Sequence, residues 1–388
     1  METTIRKLIA AAALSVAATV ACAAPVKIGF LGEFSGPQMA YGRDMYDGFM
    51  LAVEQGGGKL GGVDVQILKE DTQLKPDLAT QVAQRLIEKE GVPIIAGVSF
   101  SNIMMAIHRQ VTEKEVFLVG TNAGPSPLAG EQCSPYQFFA SRQGDQQSEA
   151  VGRYAMEKGY KNVIAMAPNY QGGKDVIAGF KRTFTQGVID EIYTPLNQLD
   201  FSVELTQLAA RQPDAIFVFY PSNLGISFVR QFHAAGLIDQ IDLLSMGTVD
   251  ALTLPSIGEA ATGVISGTYW APDSENPASV KFAEAFEEKT GRIPSEVAAA
   301  SYDGALLIGS ALAKVGGDMS KKEEFMAAMK AADFESVRGK FRFNNNHYPV
   351  QDFYVVKAAK DSKGRMNLET LQVYPDMADA YASQCAMK

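Results

Sequence analysis

Histidine is scarce in this chain. Only His108, His233 and His347 occur among 388 residues. Metal centres are built from His, Cys and carboxylates at helical or hairpin spacing, and no such ligand pair is present. No metal and no cofactor are expected. Nucleotide-binding signatures are missing too. "KLGGVDV" has glycines without the G-x-G-x-x-G spacing, and no Walker A motif occurs. There is no basic block. Lys and Arg number 35 against 44 Asp and Glu, for a net charge of −9. An acidic chain of this kind excludes nucleic acid and anionic membrane surfaces as partners. Long linkers and low-complexity tracts are also absent.

One uncharged small and apolar run exists, at the N-terminus. "METTIRKLIAAAALSVAATVACAA" places Arg6 and Lys7 before it and Ala21-Cys22-Ala23 after it. This is the pattern of a cleaved secretory signal peptide over 1–23, and the run is short for a membrane span. A lipoprotein with Cys22 as its lipidated first residue is the variant reading. Removing the segment takes away Glu2, Arg6 and Lys7. The mature chain is then one unit more negative than the whole. Cys133 and Cys385 remain, an even count in an oxidising compartment, and they are predicted to pair.

The chain as a whole is ordinary in composition, 47% apolar and 20% charged. Its length fits two lobes better than one domain. Short apolar runs read as buried parallel strands: "VKIGFLG", "VDVQILKED", "VPIIAG", "VFLVGT", "NVIAMAP", "VIDEIYTP", "AIFVFYP", "IDLLSMG" and "GVISGTYW". Segments with helical apolar spacing separate most of them. Repeated strand–helix units predict an α/β fold with doubly wound parallel sheets. After Trp270 come three helical segments, and "QDFYVVKAAKDSKGRMNLETLQVYP" reads as two strands with "DSKG" as the turn.

Ligands of such sheets bind beyond the C-terminal strand ends. Here those ends are rich in Gly, Ser, Asn and Tyr: "GEFSGPQMAYG", "GVSFSN", "GTNAGPS", "APNYQGG", "FYPSN" and "MGTVD". "GVSFS" is one residue from the Gly-x-Ser-x-Gly elbow of serine hydrolases. A hydrolase using Ser99 would need a base, and none of the three histidines sits in an evident position for it. Ser101 and Asn102 stand where a helix begins. They either cap it or leave its free amides to an anion such as a carboxylate. Tyr41, Tyr170 and Tyr220 lie in other strand-end loops, suited to line a pocket.

Several stretches together resemble the leucine/isoleucine/valine-binding family of periplasmic binding proteins. They are "VKIGFLGEFSGPQMAYGRDMYDGFMLAVEQ", "GGVDVQILKEDTQLKPDLATQVAQRLIEKEGVPIIAG", "FLVGTNAGPSPLAG" and "AIFVFYPSNLGISFVRQFHAAGL". The resemblance covers essentially the whole mature chain. It implies a type I periplasmic binding protein fold, with two lobes joined by three crossing strands near 138–142, 267–271 and 345–350. The first lobe would be 24–140 plus 271–346, and the second 141–270 plus 347–388. It implies no enzymatic activity, a periplasmic location, and delivery of a small molecule to the permease of an ABC importer.

Carried over by matching loops, the ligand site would comprise Tyr41, Ser101, Asn122, Ala123, Gly124, Tyr170 and Tyr220. Thr248 would complete the second lobe's share. Ser101 and the 122–124 loop would hold a carboxylate. Phe100 and Met104 are assigned to core packing. Gly124 replaces the family's Thr. Where amino-acid-binding members carry Gly-Pro-Glu-Gly, this chain reads "SMGTVDAL", with Asp250 beyond it. A buried ammonium without a carboxylate is costly. "TNAGPSPLAGEQCSPYQFF" and "NYQGGKDVIAGFKR" are similar to the aromatic-acid-binding branch. The expected ligand is an aromatic or other apolar carboxylic acid. A branched-chain amino acid is the alternative.

Overall fold

The computed structural model describes residues 24–387. The signal peptide expected at 1–23 lies outside the described residues. The first sheet comprises β1 (Val26–Gly32), β2 (Lys59–Leu60), β3 (Val63–Asp71), β4 (Ile94–Gly97), β5 (Phe117–Gly120) and β6 (Gln137–Phe139), in the order β2-β3-β1-β4-β5-β6. All neighbours are parallel except the short β2–β3 pair. β4 and β5 are buried along their whole lengths. This is why they read as unbroken apolar runs and not as alternations.

The second sheet comprises β7 (Val163–Pro168), β8 (Val188–Thr194), β9 (Ala215–Val218), β10 (Asp242–Met246), β11 (Ile265–Thr268), β12 (Arg342–Phe343), β13 (Pro349–Lys360) and β14 (Met366–Met377). β8, β7, β9, β10 and β11 are parallel, but β13 joins β11 antiparallel and carries β12 and β14. The second lobe is therefore mixed, not uniformly parallel. Part of the cause is visible in the sequence: "DSKG" closes the β13–β14 hairpin, and hairpins make antiparallel neighbours.

The helices Pro277–Thr290, Glu296–Val315 and Lys322–Ala331 return to the first sheet. The helix Glu296–Val315 packs along the helix Met39–Gln55, and its apolar face joins the first lobe's core with Ile28, Ile94 and Phe138. Gly48 allows the contact, since a Cβ there would strike the Ala298 carbonyl. Chain crossings after β6, around β11 and before β13 link the sheets. Cys133 and Cys385 form a disulfide with their Cα atoms 5.7 Å apart. Among the described residues no helix is long and apolar enough to cross a membrane.

Candidate functional site

Strand ends from both sheets converge on one cleft. Its lining includes Tyr41, Ser99, Phe100, Ser101, Asn122, Ala123, Gly124 and Arg142 on one side. Tyr170, Val176, Phe219, Pro221, Met246 and Gly247 face them, with Glu296 also present. The space left between the walls is small, about 40 Å³.

The turn after β4 is forced by its backbone. Val98 has a φ of 69°, in the left-handed region that a β-branched residue avoids. It is held there by hydrogen bonds from its own N–H to the Leu31 carbonyl, 2.8 Å, and from Ala123 N–H to its carbonyl, 3.1 Å. Gly97 precedes it at φ 100°, with the Leu31 carbonyl where a Cβ would go. This kink sends Ser99, Phe100 and Ser101 into the cleft.

The helix Ser101–Glu113 takes Phe100 as its N-cap residue, and no side chain caps it. Ser101 is the first helical residue, so its hydroxyl is not the cap. The Ile103 and Met104 amides turn back to the Phe100 carbonyl. The helix start, with its partial positive charge, thus opens on the cleft.

The 122–124 loop is more committed than expected. Asn122 Nδ2 donates to the Ser99 carbonyl at 2.7 Å, and its own oxygens accept from Arg142 and Ser141. The Ala123 N–H is already used by Val98. Gly124 has a geometric reason to be glycine: a Cβ would collide with the Arg142 carbonyl and crowd the Tyr348 ring. A threonine cannot stand there.

Aromatic rings cross the cleft in series. Tyr41 meets Phe100 at 5.9 Å between centroids, Phe100 meets Tyr170 at 6.4 Å, and Tyr170 stacks on Phe219 at 6.3 Å. Phe100 belongs to the first lobe's core, as expected, and also presents its ring to the cleft. Met104 is fully buried in the core.

Two expected residues lie elsewhere. Tyr220 is fully buried in the second lobe, packed on Phe201 and Phe228, with its hydroxyl 3.4 Å from Thr194 Oγ1. Its neighbours Phe219 and Pro221 face the cleft instead. A one-residue shift along an extended segment exchanges faces. Thr248 accepts from the Tyr220 N–H at 2.7 Å and donates to the Val218 carbonyl at 3.2 Å. It ties two strand-end loops together and does not line the cleft.

Arg142, Glu296, Phe219 and Met246 went unnoticed in the sequence. Glu296 accepts from Gln147 at 3.0 Å and from Thr268. Burial raises its pKa, while Arg142 and these bonds work against the rise. Asp250 accepts from the Tyr41 hydroxyl across the cleft at 3.2 Å. Burial, then the charge of Glu296, pushes its carboxyl up to about 6. Further bonds hold the lobes together. Ser126 donates to Asp175 from N at 3.0 Å and from Oγ at 2.7 Å, and Ser222 donates to the Pro37 carbonyl at 3.4 Å.

Ser99 has no base. His108 bonds the Gln137 side chain, His347 bonds the Gln137 carbonyl, and His233 sits near the outer end of its helix. Ser99 Oγ lies near Glu33, without an aligned hydrogen bond among the described residues.

Two lobes joined by crossings and closed over a small cleft define a bilobal binding protein. The chain belongs to the periplasmic binding protein family, whose sequence pattern it matches over residues 25–364. It is a solute-binding protein and not an enzyme. A Leu/Ile/Val-binding protein homolog of Brucella suis is 30% identical over 385 residues, 96% of this chain and 97% of that one. Solved structures agree. A solute-binding protein of an ABC transporter from R. palustris, in complex with benzoate, superposes with a TM-score of 0.88 at 28% identity, over 94% of this chain and 100% of that one. Another, from Rhodopseudomonas palustris BisB5 with 3,4-dihydroxybenzoic acid, gives 0.86 at 29% identity, over 92% and 99%. A leucine-binding protein from Thermotoga maritima shares the fold, with a TM-score of 0.79 at 23% identity, over 90% and 99%.

Proposed function

We propose that this protein captures an aromatic carboxylic acid between its lobes and delivers it to the permease of an ABC importer. The observation that carries this reading is the line of rings from Tyr41 through Phe100 and Tyr170 to Phe219. It runs beside an uncapped helix start at Ser101. Flat apolar groups suit the first, and a carboxylate suits the second. Ser101 Oγ and the Gly124 amide are the neutral donors for that carboxylate. Two relatives of similar fold and above 25% identity hold benzoate and 3,4-dihydroxybenzoic acid, which supports the class.

A branched-chain amino acid is the second reading, and Glu296 favours it. A buried carboxyl lining the cleft could balance an ammonium that the "SMGTVDAL" loop leaves without a glutamate.

A thermal-shift panel of benzoate, 4-hydroxybenzoate, 3,4-dihydroxybenzoate, succinate and leucine decides between them. A ligand at about 100 times its Kd adds about 2.7 kcal/mol to stability. Stabilisation by the benzoates is expected. Stabilisation by leucine alone overturns the aromatic reading.

A further inference from the structure

Two arginines are buried beside the crossings, and they are treated differently. Arg338 is fully committed. It pairs with Asp303 at 2.8 Å, donates to the Ser141 carbonyl and Gln351 through Nη1, and donates to the Ala140 carbonyl through Nη2. Every nitrogen has an acceptor. Arg142 is 8% exposed and spends only part of its capacity. Its Nε donates to Gln147, and its Nη1 donates to the carbonyl and side-chain oxygens of Asn122. The guanidinium carbon lies 5.2 Å from the centre of the Tyr269 ring. Among the described residues nothing accepts from Nη2, and no carboxylate forms an ion pair with the group.

Glu296 feels the charge of Arg142, but Gln147 stands between them and no ion pair forms, and a buried guanidinium without a directly paired carboxylate is costly. Arg142 nonetheless lines the cleft, together with Ser101 and Gly124. Its orientation is fixed from three sides. Asn122 holds one edge and Tyr269 lies against its face. Gln147 holds the other edge and bonds on to Glu296 through its own Nε2. What remains free is one terminal nitrogen in a rigid frame. Guanidinium nitrogens match carboxylate oxygens in both charge and direction.

We propose that Arg142 is the charge partner of the bound ligand's carboxylate, engaging it through Nη2 and selecting anionic ligands over neutral ones of the same shape. This rests on the carboxylate reading above and adds a full positive charge to it. In that reading the helix start and Ser101 supply only neutral donors. Gln147 acts through Arg142 as a positioning residue.

Calorimetric titration of wild type and Arg142→Gln with benzoate and with benzamide, its neutral isostere, tests the assignment. Wild type should prefer benzoate by about a hundredfold or more. Arg142→Gln should lose about a hundredfold in benzoate affinity and change little toward benzamide. Benzoate binding within threefold of wild type in Arg142→Gln overturns the proposal. If that variant does not fold, wild type alone still decides, because equal affinity for benzoate and benzamide overturns it. Should wild type bind leucine and not benzoate, the aromatic reading falls. The same comparison then runs with leucine and leucinamide, and the same outcomes support or overturn the role of Arg142. Should it bind none of these probes, both readings fall together.

Discussion

The first lobe and its crossing meet the cleft with hydrogen-bonding groups, at Ser101, Gly124 and Arg142, beside the rings of Tyr41 and Phe100, whereas the second meets it mainly with rings and apolar groups, at Tyr170, Phe219, Pro221 and Met246. The polar groups are held by bonds within the first lobe and its crossing. Asn122 braces Ser99, Ala123 braces Val98, and Gly124 accepts from Gly144 at 2.7 Å. None of these needs the other lobe. The second wall differs, because its rings reach across the cleft, Tyr170 against Phe100 and Phe219 behind Tyr170. If the lobes part, these ring contacts part with them, and a ligand would find its polar contacts ready and its apolar cover missing. Closure adds the cover, and a ligand shifts the equilibrium only by what it gains from that step.

The contrast can be broken by substitution. Phe219→Ala removes the largest part of the apolar cover. Affinity for benzoate should fall about a hundredfold, or about 2.7 kcal/mol, with a smaller loss for an aliphatic carboxylate such as succinate. Equal losses for both would mean the second wall does not read rings.

Stability should also respond to pH through Asp250. Its carboxyl titrates near 6 in the folded protein and near 3.9 in an unfolded chain. The folded state therefore holds this proton more tightly. The resulting stability is fully present below the unfolded pKa and is lost as pH rises through about 6. Burial comes first among the causes, and Glu296 and Tyr41 face the group. Relative to Asp250→Asn, wild type should lose on the order of 2 kcal/mol between pH 4 and pH 7. Melting curves of both proteins across that range would show it. A difference that is flat with pH would place Asp250 in water.

Ser101→Ala tests the other wall. One hydrogen bond to a charged group should cost about tenfold in affinity, or about 1.4 kcal/mol, and equally for every carboxylate. An unchanged Kd would return Ser101 to a purely structural role at the helix start. The smallest effect is expected for Asp175→Asn. It weakens the Ser126 contact between the lobes without touching the cleft, and about threefold weaker binding with a more open average shape in X-ray scattering should follow. A larger loss would show that the rim, not the cleft, governs closure.

Much of this arrangement was legible beforehand. Buried parallel strands announce themselves as continuous apolar runs, so the sheets and their strand-end loops could be found. Tyr41, Ser101 and Tyr170, expected in those loops, do line the cleft. Tyr220 turns into the second lobe's core instead, because chain direction changes within "FYPSN". Sequence cannot say which of two adjacent aromatics turns inward, and here the Thr248 bond to the Tyr220 amide orders that loop. Arg142 and Glu296 sit in a crossing and at a helix start, outside any periodic pattern. A faint signal did exist for Glu296. It opens "EVAAASYDG", a helix whose small residues pack closely, and a charge at the buried end of such a helix asks for a partner. Gly124 shows the reverse case. It looked like a lost contact and is instead the space through which the Arg142 backbone passes.

The Cys133–Cys385 bond bears on how motion could be watched. After β14 leaves the second sheet, the tail runs past the crossings. Its Ala382 carbonyl accepts from Asn345 at 3.0 Å, and the Tyr381 hydroxyl donates to Asp145 at 2.9 Å. Cys385 then ends on the loop that holds Cys133, in the first lobe. The loop closed by this bond contains the whole second lobe together with the first-lobe helices between Pro277 and Ala331. A fluorophore or a surface tether attached behind Cys385 would ride with the first lobe, although the preceding strand belongs to the second. A donor on β14 and an acceptor at the chain end would therefore span the hinge, and their distance would report opening and closing directly.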